Sequence, residues 1–225
     1  MYTASVMKKK KIKPFIRAFM AILLVLPIFQ SCDTGKSVVL SEEYVNIRVG
    51  ENHTATVHVN FIFTETENFT GTLLAFPKSE WFAMKGFTAT WNDKKLSHET
   101  VTAPEGKYFS IGEETCSSLY TFRVPPGSAQ KSVHTISYSY TMPYVDFSKE
   151  YEAEGRYLEY ILRTGSLWHG RVSKLKVTVT TERPRACDKI LILNGSFEGK
   201  CTNPNTWVFE GKDIELNRNI RLIIR

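Results

Sequence analysis

Two groupings of side chains in this sequence have types and spacing that could do chemistry. Glu150, Glu152 and Glu154 crowd carboxyl groups into the run DFSKEYEAEG. A carboxyl pair, one protonated and one ionised, is what glycoside hydrolysis uses. Nothing in the surrounding run would raise one of these pKa values, so the segment reads as a solvated charged loop. Ser166 and His169 have the types of a nucleophile and a general base. Their setting, Gly165-Ser166-Leu167-Trp168-His169, lacks the G-x-S-x-G turn. Residues three apart in a loop also seldom form a nucleophile–base pair. No catalytic residue is expected.

Metal and phosphate chemistry fare no better. His53, His58, His98, His134 and His169 are scattered and form no H-x₃-H or H-E-x-x-H pattern, so no metal site and no cofactor is expected. Gly35-Lys36-Ser37 echoes the end of a phosphate-binding loop but lacks the upstream glycine and strand. The Asn-x-Ser/Thr triplets at Asn52, Asn68 and Asn194 read as turn residues.

The formal charge of +6 comes from one end of the chain. Residues 1–31 hold six basic side chains (Lys8, Lys9, Lys10, Lys11, Lys13 and Arg17) and no acidic one. Without them, the 29 basic residues fall to the number of acidic ones, 23. A neutral chain offers no general footprint for nucleic acid. After the basic stretch, Ala18 to Phe29 is an apolar run too short for a bilayer span of ~20 residues, but long enough for a secretory core. It closes in Leu26-Pro27-Ile28-Phe29-Gln30-Ser31-Cys32. This leader resembles a bacterial lipoprotein signal. The resemblance implies that residues 1–31 are removed, that Cys32 is lipidated with two or three acyl chains, and that the protein is held at the bacterial cell envelope, on the outer membrane. Residues 32–41 would then be a polar tether.

With Cys32 lipidated in an oxidising compartment, three thiols remain. Cys187 and Cys201 lie near the ends of an expected hairpin and are the economical disulfide pair. A loop of that size contributes roughly 3 kcal/mol in the chain-entropy view. Cys116 is left unpaired and is expected to be buried.

The elements that must carry these residues are strands. In Thr54 to Phe63 the residues Ala55, Val57, Val59, Phe61 and Phe63 alternate with Thr54, Thr56, His58 and Asn60. His134, Ile136, Tyr138, Tyr140 and Met142 make one face of another strand, and Leu175, Val177 and Val179 one face of a third. Asn92-Asp93 is a hairpin turn. The stretch from Arg156 to Thr181 reads as two half-buried strands joined by a Gly-containing loop, a central hairpin. Only Asp146 to Gly155 could be a short helix. Val124-Pro125-Pro126-Gly127 suggests a boundary, since consecutive prolines cannot continue a central strand. The expected fold is an all-β sandwich following a signal segment. At 225 residues it is longer than one sandwich of ~100. It is therefore either one enlarged sandwich or two immunoglobulin-like subdomains, 42–124 and 125–225.

Tyr160, Leu162, Thr164, Gly165, Trp168 and Gly170 match the phrase Y-x-L-x-T-G-x-x-W-x-G. An Ala55–Phe76 block followed by Pro77, Gly86-Phe87 and Asn92-Asp93 stands upstream. Together these resemble an uncharacterised bacterial family of exported domains of unknown function, over most of residues 44–224. The first block is also similar, at the level of fold, to the N-terminal β-rich domain of inter-α-trypsin inhibitor heavy chains. Neither resemblance implies an activity. The expected function is therefore a non-catalytic, lipid-anchored envelope protein that binds an envelope protein or glycan. The alternatives are a purely structural module of an envelope complex and, behind it, an envelope hydrolase.

Trp168 distinguishes a structural motif from a binding loop. Flanked by Gly165 and Gly170, and close in sequence to inward Leu and Val positions, it is expected to plug one end of the sandwich. Trp168→Ala should then lower the melting temperature sharply, by the ~3–5 kcal/mol typical of a truncated packed Trp. His169→Ala should leave the melt unchanged. A Trp168→Ala protein that melts like the parent but loses a partner in a pull-down would make the loop a binding site instead.

Overall fold

The computed structural model describes residues 38–65, 72–78, 84–111, 114–125, 133–143, 145–146, 156–160, 171–184, 190–192, 199–216 and 219–224. Among them every regular element is a strand. One sheet of eight strands forms the base. Its centre is β1 (Val38–Val49) and β2 (Thr54–Glu65), joined by the Gly50–His53 turn. β10 (Val133–Pro143), β4 (Lys85–Trp91) and β5 (Lys94–Leu96) follow on the β2 side. β13 (Val172–Thr181), β16 (Thr206–Ile214) and β15 (Gly199–Asn203) follow on the β1 side. β1 and β13 run parallel; the other pairs of this sheet are antiparallel.

Two smaller sheets cover one face of the base. One holds β11 (Val145–Asp146), β12 (Arg156–Tyr160), β17 (Ile220–Ile224) and β14 (Ile190–Ile192), in that order. The other has β9 (Ser118–Val124) between β3 (Thr72–Lys78) and β6 (His98–Thr102). β7 (Phe109–Ile111) and β8 (Glu114–Cys116) form a separate ladder. Tyr138 shows that both small sheets share the face. Its ring lies 4.7 Å from Phe76 of β3, and its hydroxyl is 2.9 Å from that of Tyr160 on β12.

Alternation does most of the local work. Ala55, Val57, Val59 and Phe63 of β2 are buried, and His58 between them is exposed. Across the ladder, Ile136, Tyr138, Tyr140 and Met142 are buried as well. Aromatic rings fill the space over β4 and β10. Phe87 stacks on Tyr120 of β9 at 4.4 Å and 5°, and on Phe76 at 5.8 Å. These contacts add directional preference to a large buried apolar area. At the β4–β5 hairpin, Asn92 and Asp93 both take positive φ (47° and 66°), as a two-residue turn that follows strand twist requires.

Several expectations are corrected. The strands of residues 42–124 and 125–225 interleave in the base sheet, where β2 pairs with β10 and β1 with β13. The division at Pro125 therefore does not separate two subdomains; the sandwich is one enlarged unit. The central hairpin does not exist. β12 belongs to a small sheet and β13 to the base, where β1 and β16 occupy both its edges. Likewise β14 pairs with β17 rather than with β16. The hairpin near Cys201 is β15–β16, turned at Asn203–Asn205. Pro77 sits inside β3, opposite Leu119. β3 is an edge strand, so the missing N–H removes no bond from a second neighbour. β1 starts at Val38, inside the stretch expected to be tether. The expected short helix lies outside the described residues apart from Asp146, which is in β11.

Candidate functional site

A carboxyl group lies in the middle of the core. Glu43 of β1 is 1% exposed. It is inward because Val45, Ile47 and Val49 are inward and the strand alternates. A bulge at Ser41 then shifts the phase, so that Leu40 is buried too. Ser41 is held by its own bond, Oγ donating to the Ile62 carbonyl at 2.8 Å.

Opposite Glu43 stands Tyr160 of β12, fully buried, whose hydroxyl donates to Glu43 Oε1 at 2.9 Å. With that proton committed, Tyr138 must donate to the Tyr160 oxygen, again at 2.9 Å. The chain Tyr138→Tyr160→Glu43 thus joins β10, β12 and β1 and ties two sheets through their interior. Glu43 Oε2 has no hydrogen-bond partner. Burial pushes the Glu43 carboxyl from its ordinary 4.5 up to about 8, against the opposing effect of the Tyr160 bond. At neutral pH the group is therefore an uncharged acid. Burial also raises the Tyr138 and Tyr160 hydroxyls, which stay protonated, and lifts Tyr140 beyond the usual phenol range. This network can fix the spacing of the sheets and hold a proton. Its burial keeps it from any substrate in solution.

A second buried polar group is His134 of β10, 2% exposed and stacked on Trp91 at 4.6 Å. The turn residue Asn92 reaches it. Asn92 Oδ1 accepts from the Thr135 N–H at 3.0 Å, which aims the amide nitrogen at His134 Nδ1, also 3.0 Å away. Nδ1 is then the acceptor, and the ring proton sits on Nε2.

One group of exposed polar residues lies at the end of the base sheet away from Val38. Three segments meet there: the Gly50–His53 turn, Thr181–Arg183 after β13, and the Asn203–Asn205 turn. Glu182 N donates to the Val49 carbonyl at 3.1 Å, and Glu182 Oε2 accepts from Glu51 N at 3.0 Å. Thr181 N donates to the Asn205 carbonyl at 3.0 Å. Asn52 Oδ1 accepts from both Thr54 N and Thr54 Oγ1, and Asn203 Oδ1 from Asn205 N. Two ion pairs lie over this frame, Arg48–Glu182 at 3.6 Å and Arg183–Glu51 at 3.7 Å. The pairs are exposed and stabilise little. The backbone bonds matter more, because they hold the three loops in one arrangement.

Of the residues singled out from the sequence, Tyr160 is in the core and joins the buried network. Leu162, Thr164, Gly165, Ser166, Trp168, His169 and Gly170 lie outside the described residues, as do Cys32, Cys187 and the three glutamates Glu150, Glu152 and Glu154. Cys116 is buried. Cys201 is half-buried in β15. Among the described residues no group of three or more His, Cys, Asp or Glu could hold a metal ion. Glu43 escaped sequence reasoning although a signal was present: it shares the parity of Val45, Ile47 and Val49. What identifies its role is Tyr160, 117 positions away.

The fold has counterparts among solved structures. A candidate nutrient-binding protein from Legionella pneumophila aligns with 83% of this chain and 66% of its own, at 16% identity and a TM-score of 0.61. An M1 zinc metallopeptidase from Deinococcus radiodurans aligns over 84% of this chain and 42% of its own, at 9% identity and a TM-score of 0.45. An aminopeptidase N family protein from Idiomarina loihiensis gives 80%, 29%, 13% and 0.41 for the same measures. The first likeness shows a shared fold; the other two are too weak to carry an argument. This chain spans about two thirds of the first protein and less than half of the others. No family model and no curated protein matches it.

The buried acid makes stability depend on pH in a defined direction. The folded-state value of about 8 lies above the ordinary 4.5, so between them the unfolded chain releases a proton that the folded chain keeps. Glu43 therefore lowers stability as pH rises through that window, by at most about 1.4 kcal/mol per pH unit, and its effect levels off above it. Glu43→Gln stays uncharged throughout. Urea unfolding at several pH values should show the variant gaining on the parent from pH 4.5 to about 8. A parent–variant difference constant across that range would mean that Glu43 is ionised in the folded protein.

Proposed function

We propose that this chain is a lipid-anchored, non-catalytic β-sandwich of the bacterial cell envelope, held on the outer membrane through Cys32, that binds an envelope protein or glycan. The observation that carries the binding role is the preorganised loop end built on Glu51, Glu182 and Asn205. Loops fixed on a rigid sheet are where β-sandwiches commonly place recognition. The anchoring role rests on the leader ending at Cys32. A hydrolase reading is disfavoured because the perturbed carboxyl, Glu43, lies in the core, out of reach of substrate. A Cys187–Cys201 disulfide belongs to this reading, since it requires an oxidising compartment; non-reducing peptide mapping tests it directly.

Replacing Cys32 with Ala should move the protein from the membrane pellet to the soluble fraction. Retention in the pellet after detergent-free washing, with normal processing, would sink the anchoring claim. Cross-linking intact envelopes and pulling down the parent should recover a partner. His53→Ala combined with Arg183→Ala should lose it while melting like the parent. If the same partner comes down with both proteins, the loop end is not the binding surface.

A further inference from the structure

The outer face of the base sheet, on the side opposite the core, is rich in lysine around β1. Lys174 and Lys176 of β13, Lys212 of β16 and Lys200 of β15 share it with two carboxylates, Glu42 of β1 and Glu210 of β16. The ladders set them in rows: Lys174 beside Glu42 and Lys212, and Lys176 beside Glu210, with Lys200 beside Val208 one row further. Lys176 is committed to Glu210 at 2.8 Å. Lys174 Nζ hangs over the Tyr44 ring, 5.2 Å from its centre. Lys174, Lys200 and Lys212 are exposed, and the four lysines outnumber the two carboxylates.

β1 is also the strand that the anchor leads into. From Cys32 to Val38 the chain reaches at most about 20 Å. The row of Glu42, Lys174 and Lys212 comes only four residues into β1, about 14 Å along the strand. We propose that this lysine-bearing face lies against the anionic headgroups of the membrane that holds the lipid on Cys32, so that the base sheet rests flat on the bilayer. The inference depends on lipidation of Cys32 as read above. An anionic surface attracts lysines only within about a Debye length, ~10 Å. A short tether lets the face come within that range, so a modest excess of positive charge sets the attitude of a domain whose affinity the lipid already supplies. In this attitude the loop end stays at the rim of the domain, open to a partner in the plane of the membrane.

The test uses the exported, lipidated protein reconstituted in phosphatidylglycerol vesicles and, separately, in phosphatidylcholine vesicles. A lysine-acylating reagent followed by mass spectrometry reads each side chain. Lys174, Lys200 and Lys212 should label roughly threefold more slowly on the anionic vesicles, and the difference should vanish in high salt. Lys107, exposed in the loop after β6, should label alike on both. Lys174→Glu with Lys212→Glu should restore fast labelling at Lys200. Equal labelling of the three face lysines on both vesicles overturns the proposal. The intact mass of the same protein reads the lipid on Cys32 independently. An unmodified Cys32 overturns the anchor and this inference together, while a lipidated protein with equal labelling overturns the orientation alone.

Discussion

One face of an eight-stranded sheet has to be kept from water, and neither small sheet is wide enough to do it alone. Much of the architecture follows from that constraint. The four-stranded sheet covers the base near β1, where Tyr160 meets Glu43. The three-stranded sheet covers it near β4, where Phe76, Phe87 and Tyr120 stack. Tyr138 of β10 touches residues of both and closes the seam between them. Burial of the apolar face is the main favourable term. Ring-to-ring contacts and the tyrosine chain determine how the two covers sit on it.

An acid at the centre of such a core is tolerated because it is not charged there. Desolvation favours the protonated form, and the Tyr160 hydroxyl meets one oxygen. The other oxygen is left without a partner, which costs stability. An apolar residue of similar size would avoid that cost but would lose the bond that fixes β1 against β12. In Glu43 a specific registration between sheets is combined with a dependence on pH that a leucine would not bring.

The polar groups divide between the two environments with little overlap. Glu43, His134 and the core tyrosines are enclosed, where they can hold structure. The groups tied together at the loop end (Glu51, Glu182, Arg183 and Asn205) face water on a frame of backbone hydrogen bonds. Such a scaffold presents a surface at low entropic cost, because its loops need little reordering on contact.

The amino-acid order by itself determined many of the strands and, in β2, β10 and β13, the buried face. Alternation in β2, β10 and β13 is a local property that each strand carries whatever its neighbours are. The Asn92-Asp93 turn is equally local, since those side chains tolerate positive φ. Partners were not legible. Period two says that Leu175 points inward but not that β13 lies parallel to β1, nor that β12 and β13, close in sequence, belong to different sheets. Pairing is decided by which combination of strands seals the whole apolar face, a condition on the complete chain. Glu43 shows the limit most plainly. The sequence places it on an inward parity, but its raised pKa and its hold on the second sheet exist only once β12 brings Tyr160 to within 2.9 Å. A hydrogen bond between residues 117 apart is created by packing, and only the tertiary structure could decide it.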